Sequence, residues 1–319
     1  MRSTPIAFKA SGRFWVNNHA HILQPKEDVL IDFLLHFLAS IDLKPFITGS
    51  AQPKLSQDKL NNIQVSLPPL PEQKGIVAIL NEQMAAVEKA RAAAEAQLQA
   101  AKTLPAAYLR EVFDSPEAQK WERKTFREIC ISNGQYGTSE ISNHQNKGLL
   151  VLRMGNIFEG EIRWENLAFC ELSISEEKKY LLRKGDIIFN RTNSAELVGK
   201  TAVFDGSHDA IFASYLIRFC AVENLANPYF ISAYINSHLG REFIEANMTR
   251  AIGQVNISAS VMHGMRIPMP SIDEQNQIAS NLQEKISFSK NLQRSLQDQL
   301  NTIKQLPAAL LRQAFNGEL

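Results

Sequence analysis

Apolar residues recur every three or four positions through Val77, Leu80, Met84, Val87, Ala94, Leu98 and Ala101, with Arg91 the one polar break. That spacing lines up a single stripe along a helix of about thirty residues, the seam of a coiled coil. The register returns 202 residues later through Ala279, Leu282, Ile286, Ser289, Gln293, Leu296, Leu300 and Ile303, so Arg91 and Gln293 occupy matching places. Neither helix can bury its stripe alone, and two repeats related by a pseudo-twofold axis would pair head to tail. An antiparallel pair is expected, each helix a rigid spacer of about 45 Å. Arg91 and Gln293 either set its register or tolerate partial exposure.

The repeat extends past the stripe at both ends. Pro68-Pro69-Leu70-Pro71-Glu72-Gln73 opens the first copy and Pro270-Ser271-Ile272-Asp273-Glu274-Gln275 the second. Leu104-Pro105-Ala106-Ala107-Tyr108-Leu109-Arg110 with Phe113 closes one, and Leu306-Pro307-Ala308-Ala309-Leu310-Leu311-Arg312 with Phe315 closes the other. Proline breaks a helix interior but suits a first turn. Each long helix is therefore expected to end near Thr103 or Lys304-Gln305, with a short amphipathic helix after it.

Between the helical copies the pattern changes to short apolar runs bounded by Gly, Asn and Asp, the mark of strands and turns. Leu149–Arg153, Asp186–Phe189, Thr201–Phe204 and Ser214–Phe219 are predicted strands. Asn227-Pro228-Tyr229-Phe230 reads as a capped helix start, the helix running to about Asn247. Phe33–Ser40 parallels Phe230–Ser237, and Phe8 parallels Phe204, so Met1 corresponds to about Leu197. The expected class is α+β: mixed α/β domains joined by two long helices in an antiparallel coiled coil. The boundaries are 1–67 for the back half of a first domain, 68–116 for one spacer, 117–270 for a complete second domain and 271–319 for the other spacer.

At 319 residues the chain can build two cored domains, and its 45% apolar and 21% charged content is that of a soluble protein. No apolar run is long enough to span a membrane and no signal peptide opens the chain, so a cytoplasmic location is expected. Cys130, Cys170 and Cys220 are isolated, against both a disulfide framework and a zinc site. A net charge of +1 neither supports nor excludes nucleic acid, because phosphate answers to a basic face and not to the total.

These residues resemble the DNA-specificity (S) subunit of type I restriction-modification systems. The resemblance covers nearly the whole chain and rests on the two Pro-x-x-x-Glu-Gln helix starts, the two Leu-Pro to Phe closings and the terminal Ala314–Leu319. Gly185–Ser194 with Leu197–Lys200, and Gly253-Gln254-x-Asn256-Ile257-Ser258, are similar to motifs of that family's target-recognition domains. It implies a non-enzymatic subunit. Two recognition domains would each read half of a split double-stranded DNA sequence, the helices fixing the spacer and docking modification (M) subunits. Adenine methylation with S-adenosylmethionine would belong to M, and ATP- and Mg-dependent translocation and cleavage to the restriction (R) subunit. No cofactor or metal is expected on this chain. The half-length first domain implies a truncated subunit that reads one half-site or pairs with a second S chain.

Reading DNA needs donors for phosphate and forked side chains for base edges. The candidates are Arg191, Thr192, Asn193 and Lys200 after an apolar strand, Gln135, Tyr136 and Thr138 in a glycine-punctuated loop, and Arg153 and Asn156 at a strand end. Gln254, Asn256 and Ser258, with counterparts Gln52, Lys54 and Ser56, complete the set. Turn formation and strand-end hydrogen bonding are the competing uses. Asn227–Phe230 lacks the second proline of an adenine methyltransferase motif, and no glycine-rich turn offers an S-adenosylmethionine site. His19 and His21 share a face of an expected strand without a third ligand nearby. A coiled-coil scaffold whose globular part binds protein is the remaining alternative.

Overall fold

The computed structural model describes residues 7–17, 20–48, 54–131, 133–251 and 253–318. In chain order these form α1 (Ile31–Ser40), β1 (Ile47–Thr48), β2 (Lys54–Leu55), α2 (Gln57–Asn61) and the long α3 (Leu70–Phe113). Then come β3 (Glu122–Thr125), α4 (Phe126–Ile129), β4 (Gln135–Tyr136), β5 (Leu149–Leu152), β6 (Ile157–Phe158), β7 (Glu161–Ile162), β8 (Ala168–Cys170) and α5 (Ile174–Tyr180). They are followed by β9 (Ile187–Asn190), β10 (Thr192–Asn193), β11 (Thr201–Val203), β12 (Ala210–Phe212), β13 (Leu216–Phe219), α6 (Pro228–Asn236) and α7 (His238–Asn247). The last are β14 (Thr249–Ala251), β15 (Gln254–Asn256), α8 (Ala259–Met262), β16 (Arg266–Met269), α9 (Ile272–Ile303) and α10 (Leu306–Phe315). No helix among the described residues is long and apolar enough to cross a membrane.

Two compact units divide the chain: Met1–Ala101 with Leu292–Leu319, and Lys102–Asn291. The division falls inside the long helices and not at the proposed domain edges. Each unit therefore combines the start of one repeated helix with the end of the other.

In the first unit, Ala94, Leu98 and Ala101 of α3 close on Leu296 and Leu300 of α9, with Leu292 and Ile303 at the margin. Farther back along α3, Leu80 packs on Leu311 and Ala314 of α10, bordered by Met84 and Phe315. Later α3 residues thus meet earlier α9 residues, and the pair is antiparallel. Val77 is buried and Val87 half-buried. Phe315 closes on α1, its ring edge-on to Phe33 at 5.2 Å and Phe37 at 5.5 Å. His21 lies outside any strand, its ring nitrogen 2.7 Å from the Leu55 carbonyl, so the expected histidine-bearing strand does not form there; His19 is outside the described residues.

The expected helix break at Pro105 does not occur: α3 runs through it to Phe113. Proline has no N–H for the carbonyl four residues back, which is that of Ala101. Gln293 donates its side-chain amide to that carbonyl at 3.1 Å. At the matching place in the other copy Arg91 is held instead by Glu88 and by Glu95 at 2.9 Å. There the helix does stop, α9 ending at Ile303 and α10 restarting with Pro307 in its first turn.

In the second unit, β11-β9-β13-β4 form an antiparallel sheet that is covered on both faces. Ile187, Phe189, Ile217 and Phe219 face one cluster, with Leu109 and Phe113 of α3 and Ala279 and Leu282 of α9. Ile188, Ala202 and Leu216 face the other, with Phe204 and Phe212. Double coverage explains why Ile187-Ile188-Phe189 is continuously apolar. Ile286 is half-buried, and Lys285 beside it reaches Glu111 at 3.0 Å. Asn227 caps α6 by accepting from the Tyr229 and Phe230 amides at 2.8 and 3.1 Å. The expected helix to Asn247 is two helices, because Ser237 caps a restart by accepting from Gly240 N.

Candidate nucleic-acid interface

The two sequence motifs of the second unit become neighbouring strands. Arg191 leaves β9 with its N–H on the Tyr215 carbonyl and its own carbonyl on Ile257 N, both at 3.0 Å. β10 then pairs antiparallel with β15, Thr192 opposite Asn256 and Asn193 opposite Val255. β14 closes the sheet on the other side of β15, Thr249 opposite Asn256, Arg250 opposite Val255 and Ala251 opposite Gln254. The Thr192 hydroxyl donates to Asn256 Oδ1 at 2.5 Å, fixing both side chains. Tyr136 stands beside this sheet, its hydroxyl accepting from Ala259 N at 3.2 Å and its ring 4.8 Å from the Arg191 guanidinium. The ring is partly exposed, and Arg191 Nε is buried without a hydrogen-bond partner among the described residues. A cation on a ring face at this exposure contributes about 0.5–1 kcal/mol. Arg191 is thus a held cation whose remaining donors have not been used up by strand pairing.

The turn after β10 is braced from α7. Arg241 donates to the carbonyls of Val198 and Ala195, the latter at 3.2 Å. Burial lowers the pKa of Arg241 from its ordinary value. Gly199, at φ 81°, sits where a Cβ would meet Ile244 Cδ1 at 2.5 Å, so the turn approaches α7 as closely as glycine allows. Lys200 follows, its ammonium 5.2 Å from the Phe158 ring, which also carries the Arg163 guanidinium at 3.5 Å.

Other candidates are engaged in the fold. Gln135 donates to the Lys179 carbonyl at 2.9 Å and accepts from Arg218. Asn156 is buried, accepting from Arg153 N at 2.9 Å and donating to the carbonyls of Arg163 and Glu165 at 2.9 and 3.0 Å. Arg153 donates to the Asn166 carbonyl at 2.7 Å, and Thr138 is buried with its hydroxyl accepting from Glu140 N. Asn193 accepts from Ser194 N at 2.8 Å. Ser258 and Ser56 are helix caps, accepting from Val261 N and Lys59 N. Gln254 is exposed, Lys54 lies on β2, and Gln52 is outside the described residues.

Sequence reasoning missed two arginines of this unit. Arg218, inside an apolar strand, pairs with Asp186 at 3.3 Å and donates to the Leu181 carbonyl at 2.7 Å. A lone charge in a buried run, with an acid in the preceding Gly-Asp turn, was the available signal. Arg250, exposed on β14, lies in a strand that its sequence does not announce. Burial pushes the thiols of Cys130 and Cys220 up to about 12 and about 11, which leaves both weak nucleophiles. No His, Cys, Asp or Glu cluster among the described residues could hold a metal.

A duplicated helical frame carrying a mixed α/β module with a cation-bearing sheet defines a modular recognition protein. A family model described as the type I restriction modification DNA specificity domain matches residues 3–95 and 118–302, and the chain belongs to that family. The Escherichia coli (strain K12) type I restriction enzyme EcoKI specificity subunit is 24% identical over 314 residues, covering 93% of this chain and 68% of the relative. A putative specificity subunit of Haemophilus influenzae, S.HindORF215P, is 42% identical over 72 residues, 23% of this chain and 19% of its own. Among solved structures, one from work on complex assembly and conformational transition of the type I R-M system aligns with a TM-score of 0.67 at 21% identity, over 92% of this chain and 73% of that one. The HsdS subunit from Thermoanaerobacter tengcongensis aligns at 0.59 and 22%, over 92% and 72%. These likenesses establish the fold.

Proposed function

We propose that this chain is the sequence-reading subunit of a type I restriction-modification complex, directing adenine methylation by M subunits and restriction by R subunits on double-stranded DNA. The observation that carries the reading is the sheet in which Arg191–Asn193 and Gln254–Asn256 meet beside Tyr136, on a chain whose family is defined by DNA specificity. Arg191, Lys200, Gln254 and Tyr136 supply the contacts to phosphate and base edges. Gln135, Asn156, Thr138, Arg153 and Ser258 shape the platform beneath them. The paired helices hold the spacing of a bipartite site and seat the M subunits, while S-adenosylmethionine, ATP and Mg serve the partner subunits.

A complex of this chain with the M subunit of its own system should retain target duplex and release it steeply as salt rises, as phosphate contacts demand. Charge reversal at Arg191 and Lys200 together should abolish retention. Unchanged DNA binding by that double variant would favour a protein-binding scaffold instead. The methylated motif also reports stoichiometry: a split asymmetric motif assigns both readers to one chain, and a palindrome assigns them to two copies.

A further inference from the structure

We infer that the β14–β15 hairpin enters a DNA groove and that Arg250 is a specificity-determining residue, reading a guanine edge. This rests on the reading of the chain as a DNA-recognition subunit and goes beyond it by naming the element and the residue.

Gly253, at φ 76°, turns the chain back between the strands, and a Cβ placed there would meet nothing within 4 Å. The hairpin therefore has open space around Gly253. Its base is firm: Val255 is buried between Asn193 on one side and Arg250 on the other, and Asn256 is bonded to Thr192. A two-stranded ribbon on a rigid base is one of the two shapes that the major groove admits.

Arg250 has no competing employment. Arg153, Arg218 and Arg241 give their guanidinium groups to backbone carbonyls, and Arg191 lies on Tyr136. Arg250 is exposed on the edge strand, and its guanidinium makes no hydrogen bond or ion pair with another described residue. It shares a cross-strand row with Asn193, one strand apart, so its reach adds to the same surface.

The repeat separates frame from reader. By register Thr48 stands where Thr249 does and Lys54 where Asn256 does, and Ser56 and Ser258 cap the helices that follow. Between these matched flanks the sequences part: Gly-Ser-Ala-Gln-Pro at 49–53 against Arg-Ala-Ile-Gly-Gln-Val at 250–255. Two readers on one frame must agree in what holds the hairpin and differ in what it touches. Arg250 is the one cation that distinguishes the two segments, and the fork of arginine matches the O6 and N7 acceptors of guanine.

The test is methylation of a random-sequence duplex library by the complex of this chain with its M subunit, the modified motif being read by sequencing. For the native chain a guanine is expected at a fixed position of the motif. Arg250→Ala should relax discrimination at that position by about five- to a hundredfold and leave the other positions unchanged. Arg250→Gln, which keeps a long polar side chain, provides the same readout should the alanine variant fold poorly. A motif unchanged at every position overturns the proposal. So does a uniform loss at all positions with a salt slope shallower by about one, which would make Arg250 a phosphate contact. No motif with the native chain would overturn the DNA-reading function itself, and this inference with it.

Discussion

Gln73 and Gln275, each fully buried in its own unit, make the same three hydrogen bonds. Gln73 accepts from Leu30 N at 2.8 Å and donates to the carbonyls of Asp28 and Pro68 at 2.9 and 2.8 Å. Gln275 accepts from Asn227 N at 2.9 Å and donates to those of Leu225 and Pro270 at 3.1 and 2.9 Å. Each glutamine locks the start of a spacer helix to the start of the domain helix beside it, α1 or α6. The recurring Glu-Gln is thereby explained, since only a primary amide offers an acceptor and two donors at one place.

Gln275→Leu should strand one amide and two carbonyls in the interior, each orphan costing about 1–3 kcal/mol. The expected loss is about 2–4 kcal/mol, read as a lower urea midpoint by far-UV circular dichroism. Gln275→Glu should fare no better, because it keeps the acceptor and turns a carboxylate on two carbonyls. A midpoint unchanged in both variants would show that the lock is dispensable.

Phe113 and Phe315 should reveal the exchange of helix ends between repeats. Phe113 packs edge-on to Phe230 at 5.5 Å and Tyr234 at 5.2 Å, as Phe315 does to Phe33 and Phe37. Burying such a ring accounts for about 3–5 kcal/mol in a Phe→Ala change, less where the ring is partly exposed. Phe315→Ala should speed hydrogen exchange in α1, more than two hundred residues away in sequence, and leave α6 unchanged. Phe113→Ala should do the reverse.

Gln293→Leu should destabilise α3 around Pro105 by about 0.5–1.5 kcal/mol, the net contribution of the hydrogen bond it gives to the Ala101 carbonyl. Pro105→Ala restores the missing N–H, so it should be worth more in the Gln293→Leu background than in the native chain. A double-mutant cycle with no coupling would rule out the rescue of the proline by the glutamine.

Raising the pH should weaken the fold through Cys130. Burial, with a smaller effect from nearby Cys220, moves its pKa from about 9 to about 12. Above pH 9 the unfolded chain loses a proton that the folded chain keeps, so the stabilisation is full below pH 9 and declines towards pH 12. Urea midpoints measured from pH 8 to 10.5 should fall with pH, and Cys130→Ala should fall less steeply than the native chain.

The two long helices, the main strands and the Asn227 cap were legible because each is written in local spacing or local capping chemistry. The passage of α3 through Pro105 was not, since its remedy is a side chain at Gln293 that sequence proximity cannot suggest. The same limit governs the site. Asn156 and Arg191 look alike in sequence as polar residues at strand ends, yet Asn156 is used up by three bonds inside the fold and Arg191 is left on a ring at the surface. Which polar group is spare depends on partners brought together by the sheets. Arg250 escaped for a related reason: Thr249–Ala251 is a strand only because β15 lies beside it.

Whether this chain chooses the DNA sequence its complex acts on is decided by mapping N6-methyladenine across the genome of cells carrying its M subunit, with and without the chain. The expected result is methylation confined to one motif and present only with the chain. Methylation at the same sites in its absence would contradict the claim.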